Sequence, residues 1–168
     1  MIKLVIGLGN NDTQYAHTYH NVGFLMIDWL EKQAEKPNIA LHKTNGFMNE
    51  SGASAKRILH ESGFAPENLL VIHDDSDIEL GHFKIVTNRG AAGHNGVQNV
   101  IDQLGTQQFF RLRIGIRPKE KPGERKKANE FVLKNISKTN LKKIEAVFTS
   151  AMKQVRQLTE TRLQSPLE

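Results

Sequence analysis

Apolar and polar positions along this chain fall into blocks that switch between strand and helix periods. Lys3 to Leu8 is a short, nearly unbroken apolar run, the pattern of a strand buried on both faces, and it stops at Gly9-Asn10. A helix is predicted from about Asn21, because Val22, Leu25, Met26, Trp29 and Leu30 recur at helical spacing and Pro37 lies beyond its end. Ile39 to Lys43 reads as a short strand. Ser51 to Ser62 reads as a second helix, with Ala55, Ile58 and Leu59 inward and Gly63 as its stop. Leu69 to Ile72 is a four-residue apolar strand that delivers His73, Asp74 and Asp75 at its end. Phe83 to Val86 is a further strand, Gly90 to Gly96 a glycine-rich loop, and a helix with Val97, Val100, Ile101 and Leu104 on one face runs up to Gly105. In Phe110 to Ile116 the alternation puts Leu112, Ile114 and Ile116 on one face and Arg111 with Arg113 on the other. Residues 117 to 127 form a basic loop with two prolines, followed by the short apolar segment Phe131-Val132-Leu133. Ser137 is the predicted N-cap of a long final helix whose stripe is Leu141, Ile144, Phe148, Ala151, Met152, Val155 and Leu158.

Strands alternating with helices imply an α/β domain with a mixed or largely parallel sheet. In such sheets function collects just beyond the strand ends. Asn10, Asp74 and the glycine-rich loop are all expected there. The 168 residues suit one domain covering 1–168, and there is no internal repeat or low-complexity stretch. No apolar run approaches the ~20 residues of a membrane helix, and the N-terminus has no signal-peptide cleavage region. The chain has no cysteine, which removes disulfides, thiolate zinc sites and cysteine nucleophiles and fits a cytoplasmic protein. Its formal charge of +5 suits a polyanionic partner such as nucleic acid. A basic face is expected from Arg111, Arg113, Arg117, Lys119, Lys121, Arg125, Lys126 and Lys127, although some of these charges are explained equally well by a solvated loop.

Several familiar chemistries are not indicated. Gly7-Leu8-Gly9 lacks the third glycine of a dinucleotide fingerprint, since residue 12 is Asp12, and reads as a tight turn after the strand. Asp75, Asp77 and Glu79 resemble a calcium loop, but Leu80 stands where an EF-hand needs glycine, so they read as solvated loop carboxylates. The seven histidines have no metal-ligand spacing, and there is no G-x-S-x-G elbow. No metal and no cofactor are expected. What remains is a set of amides beside histidines: Asn10, His20-Asn21, Asn49 and His94-Asn95. Each alone serves equally well as a turn or cap residue. Together they allow a hydrolase in which His20 is a general base, Asp74 orients it, and asparagine NH2 groups hold a carbonyl or a developing oxyanion.

The same residues carry a resemblance. Leu4-Val5-Ile6-Gly7-Leu8-Gly9-Asn10, Tyr15, His20-Asn21-Val22-Gly23-Phe24, Phe47-Met48-Asn49-Glu50-Ser51-Gly52, His73-Asp74-Asp75-Ser76-Asp77, Gly93-His94-Asn95-Gly96, Phe110 to Ile116 and Phe131-Val132-Leu133 follow one another as in bacterial-type peptidyl-tRNA hydrolases, which the chain resembles from end to end. The resemblance implies a single α/β domain with a twisted mixed sheet flanked by helices. It implies a metal-free hydrolase of translation and ribosome rescue, acting on peptidyl-tRNA. His20 then resembles the base that activates water and Asp74 its carboxylate partner. Asn10 and Asn49 resemble amides that bind the peptide and terminal adenosine, and Asn95, with His94 beside it, the amide that positions water or oxyanion. Arg113 resembles a residue gripping the tRNA 5′ phosphate, and Tyr15 a pocket wall. The alternative is an RNA-binding protein of the same fold without catalysis. The chain is expected to act as a monomer.

The chain also departs from the family pattern. Asn10-Asn11-Asp12 replaces Asn-Pro-Gly, so a looser turn is expected. The segment before Phe47 is short, so an edge strand of the sheet is expected to be missing. Val86 stands where a basic residue is usual, with Lys84 or Arg89 as substitutes.

Overall fold

The structure is a computed structural model that describes residues 1–34, 39–120 and 123–160, the last three as backbone only. Pro37, Lys121 and the Leu158 side chain, named in the expectations above, lie outside the described residues, as does Pro122, the second proline of the basic loop. So do residues 161–168 of the expected domain. Five strands form one mixed sheet: β1 (Leu4–Gly7), β2 (Ala40–Lys43), β3 (Leu69–Glu79), β4 (Phe83–Thr87) and β5 (Phe110–Arg117), in the order β2-β1-β3-β5-β4. All neighbours are parallel except β4 and β5. Four helices accompany them: α1 (Val22–Glu31), α2 (Ser51–Ser62), α3 (Asn95–Leu104) and α4 (Lys138–Glu160). Among the described residues β2 is the outermost strand on its side, as the shortened segment before Phe47 led one to expect.

The continuous apolar runs of β1 and β3 follow from burial on both faces. Val5, Leu70, Ile72, Leu112, Ile114 and Ile116 join α1 and α4 through Met26, Ile27, Leu30, Ile144, Phe148, Ala151, Met152 and Val155. Leu4, Ile6, Leu69, Val71 and Phe109 join α2 and α3 through Ala55, Ile58, Leu59, Val97 and Val100. Truncating one of these fully buried leucines, such as Leu70, would cost about 2–5 kcal/mol. The buried stripe of α1 is rotated from the expected one: Phe24 and Ile27 are inside, while Leu25 and Trp29 are half-buried. Ser137 does cap α4, its Oγ accepting from Asn140 N–H at 3.2 Å.

Strand β3 is far longer than its four apolar residues suggested. β1 pairs with it only as far as Ile72, but β5 continues to pair through Asp74 and Asp75, with a register shift before Glu79 meets Arg117. His73, Asp74 and Asp75 are therefore buried within a strand that has outrun β1. The expectation that Asp75, Asp77 and Glu79 are loop carboxylates is corrected, because arginines on and after β5 compensate the charges that hid this strand: Asp75 binds Arg113, and Asp77 binds Arg125.

The glycines near the end of β1 also act differently from the expected tight turn. A Cβ on Gly7 would lie 2.4 Å from Gly23 O, and one on Gly23 would lie 2.5 Å from both Leu8 O and Ile72 O. Bare backbones thus let the first turn of α1 seat directly on β1 and β3, and that seat brings residues 19–21 beside the part of β3 that has outrun β1.

Candidate active site

His20 sits in the 3-10 turn Tyr19–Asn21 that leads into α1. Its backbone is tied to the segment after Phe131: His20 N–H donates to Val132 O at 2.8 Å, and Tyr19 N–H to Lys134 O at 3.2 Å. Its ring Nδ1 lies 2.9 Å from Oδ1 of Asp74. Asp74 is 2% exposed, and the same Oδ1 lies 2.9 Å from Nε2 of His94. Two imidazoles therefore converge on one carboxylate oxygen, from the entrance of α1 and the entrance of α3.

The hydrogen bonds fix the tautomers. His94 is the N-cap of α3, and its Nδ1 accepts from Val97 N–H at 3.2 Å. Its proton is on Nε2, donated to Asp74. His20 donates Nδ1–H to Asp74, which leaves the Nε2 lone pair available. Burial disfavours the charged His20 ring, but the Asp74 charge and hydrogen bond outweigh burial and raise its pKa above the ordinary imidazole value. Burial likewise opposes ionisation of Asp74, and His94 and His20 overcome it, holding the carboxyl well below the usual carboxylate range. The fully buried His73 goes the other way: burial first, then His94, keep it neutral well below its ordinary pKa. Its Nδ1–H donates to Asp74 O at 2.7 Å, and its ring meets that of His94 edge-on at 4.8 Å.

The ring and carboxylate atoms of His20, Asp74 and His94 lie within 4.8 Å of one another, a grouping that the histidine spacing did not reveal. Nε2 of His94 cannot give up its proton to Nδ1, because Nδ1 already accepts from Val97, so ligation through Nε2 would break the α3 cap.

Asn10 is held by three hydrogen bonds rather than by a loose turn. Its N–H donates to Asn21 Oδ1 at 2.8 Å, its O accepts from Asn21 Nδ2 at 2.9 Å, and its Oδ1 accepts from Met48 N–H at 2.8 Å. That leaves its NH2 group without a partner among the described residues. The following residues are occupied locally: Asp12 caps the turn Thr13–Tyr15, and the Asn11 side chain bonds that of Asn45. Asn21 thus serves as a clamp on Asn10. Two cavities meet at this point. One, of about 250 Å³, is lined by Asn10, Tyr15, Phe47, Asn49 and Leu133. The other, of about 360 Å³, is lined by Asp74, Asp75, Gly93, His94 and Asn129. His20 and Asn95 line both. Phe47 and Leu133 are half-exposed apolar residues at the first cavity, a feature that sequence reading passed over.

Arg113 lies apart from this cluster on β5, between His73 of β3 and Lys84 of β4. Its Nε donates to Asp75 Oδ2 at 2.6 Å, so it is paired with a buried carboxylate. Lys84 is the exposed cation beside it, whereas Val86 lies opposite Arg111. The basic face is smaller than expected. Arg111 is 1% exposed and donates to backbone carbonyls, Arg117 pairs with Glu120, and Arg125 pairs with Asp77. Lys119, Lys126 and Lys127 remain exposed. No helix among the described residues is long and apolar enough to cross a membrane.

The profile of a protein family described as peptidyl-tRNA hydrolase matches residues 4–168. A peptidyl-tRNA hydrolase from Aquifex aeolicus (strain VF5) is 39% identical over 171 residues, covering 90% of this chain and 87% of that protein. One from Parasynechococcus marenigrum (strain WH8102) is 33% identical over 179 residues, covering 94% and 88%. A crystal structure of peptidyl-tRNA hydrolase from Acinetobacter baumannii has a TM-score of 0.81 at 26% identity, covering 96% of this chain and 90% of that one.

Proposed function

The chain belongs to the peptidyl-tRNA hydrolase family, and from that premise we propose that His20 is the base that drives water onto the ester joining peptide to tRNA. The enzyme hydrolyses peptidyl-tRNA, releasing free tRNA and peptide, a reaction of translation. The observation that carries the role of His20 is its Nδ1–H bond to buried Asp74, with the Nε2 lone pair left over and the ring lining both cavities.

Nε2 takes a proton from a water molecule as its oxygen bonds to the ester carbonyl carbon. The carbonyl oxygen gains the negative charge. When the tetrahedral species collapses, the carbon–oxygen bond to the ribose breaks, and the proton on His20 passes to the ribose oxygen. Asp74 stabilises the transient imidazolium and holds the ring in the required tautomer. The free NH2 of Asn10 and the amide of Asn95 are the donors for the carbonyl oxygen or the attacking water, supported by their place on the cavity walls. Asn49 and Tyr15 line the cavity that takes the peptide or the terminal adenosine. Amides suit that task, because they hold a peptide backbone whatever its side chains. Arg113 takes the tRNA 5′ phosphate with the part of its guanidinium that Asp75 leaves free, and exposed Lys84 stands beside it. The hydrolase works without a metal, as a cytoplasmic monomer in ribosome rescue.

An acid-quenched single-turnover reaction with peptidyl-tRNA tests direct attack by water. Free peptide and free tRNA are expected to appear with one rate constant and no peptide bound to the protein. A peptide-bearing protein would point to a covalent nucleophile instead.

A further inference from the structure

β4 ends at Thr87, opposite Phe110 at the start of β5, whereas Asp74 lies opposite Ile114, farther along β5. At the rise of a strand that offset is roughly 13 Å. The chain from 88 to 94 therefore turns back along the sheet to bring His94 to Asp74. It does so through Asn88 at φ 52° and Ala92 at φ 51°, the left-handed non-glycine residues among those described. Asparagine tolerates that region; alanine gains nothing there and carries the steric penalty of its Cβ. Ala92 is thus held against its own preference.

Arg111 supplies the hold. It is 1% exposed, with Val71 of β3 and Val86 of β4 as its cross-strand neighbours. One of its terminal nitrogens donates to Arg89 O at 2.9 Å and to Gly90 O at 3.0 Å. These carbonyls lie between the two left-handed residues. A buried guanidinium needs such acceptors, and a backbone turning against its preference needs such an anchor. Immediately downstream come His94, bonded to Asp74, and Asn95, at the junction of the two cavities.

We propose that Arg111 is a positioning residue: its buried guanidinium clamps residues 89–90 and thereby holds the strained loop that sets His94 on Asp74 and Asn95 in the cleft. The effect on turnover rests on the role given above to His20 and Asp74. With 1% of its surface exposed and its donors on Arg89 O and Gly90 O, Arg111 acts through the loop and not by gripping RNA.

Arg111→Met keeps an apolar stem and removes the donors. On a short peptidyl-nucleoside its kcat is expected to fall roughly 10- to 100-fold with KM little changed, the usual penalty for misplacing a reacting geometry. The same factor is expected on full-length peptidyl-tRNA. Imidazole nitrogen NMR should find His94 with a bare Nδ1 and a protonated Nε2 in the parent, and this fixed tautomer lost in the variant. Adding Ala92→Gly should recover part of the lost kcat, because glycine enters the left-handed region freely. A mere hole in the sheet would not be filled by that change. Arg111→Lys keeps the charge but not the fork; it is expected to lose less and supplies a folded comparison if Arg111→Met does not accumulate. A fixed His94 tautomer with unchanged kcat, or a loss confined to full-length tRNA, overturns the proposal. Failure of the His20 base role would look different: the tautomer would still be lost in Arg111→Met, while His20→Ala stayed fully active.

Discussion

Nδ1 of His20 and Nε2 of His94 stand at the same distance, 2.9 Å, from a single oxygen of Asp74, yet only His20 retains a free ring nitrogen. That asymmetry is the ground for proposing His20 as the base among three clustered titratable groups.

It also gives a pH signature. The base must be neutral, so activity rises as pH passes upward through the His20 pKa, and this midpoint lies above the ordinary imidazole value because Asp74 outweighs burial. In Asp74→Asn only burial remains, and burial lowers the pKa. The ascending limb of kcat against pH is therefore expected to move to lower pH, with a lower plateau because the ring is no longer held or its charge offset. An unmoved limb with an unchanged plateau would make Asp74 purely structural.

Exhaustive chelation should leave activity intact. His20 and His94 turn proton-bearing nitrogens toward Asp74, and His94 cannot shift its proton without breaking the α3 cap. Activity lost on chelation and restored by zinc or magnesium would contradict this.

Arg113→Ala separates grip from chemistry. KM for peptidyl-tRNA is expected to rise while kcat falls little, the pattern of lost uniform binding. A peptidyl-nucleoside lacking the 5′ phosphate should be cleaved equally well by both proteins. The salt dependence of tRNA binding should become shallower by about 0.7–0.9 in the log–log slope, for one lost phosphate contact. Because Asp75 is buried and loses its partner, the variant should also melt at lower temperature. Equal loss of activity on both substrates would refute the grip.

The fold was readable wherever burial writes a period into the sequence. β1, α2, α3 and the core face of β5 fell close to their expected places because their apolar positions serve a two-sided core. The far half of β3 was not readable, since His73-Asp74-Asp75 spells a polar loop until Arg113 and the two imidazoles are brought to it from elsewhere. Arg111 misled for the matching reason. Strand alternation pairs it with Arg113, but the loop that folds over Arg111 and buries it is set by backbone angles at Asn88 and Ala92. The candidate residues His20, Asp74, His94, Asn10 and Asn95 were named from their types, and from the strand-end positions of Asn10 and Asp74 and the loop position of His94-Asn95. Their convergence depends on long-range contacts, such as that of His20 with Asp74 across a sequence separation of 54, that no local pattern encodes.

The central claim is that His20 activates water on the peptidyl-tRNA ester. The most direct test is single-turnover cleavage of peptidyl-tRNA by His20→Ala and the parent protein, with tRNA binding measured in parallel. Turnover is expected to fall roughly 10²–10⁴-fold, the share of a general base, with binding nearly unchanged. Full-rate cleavage by His20→Ala would contradict the account.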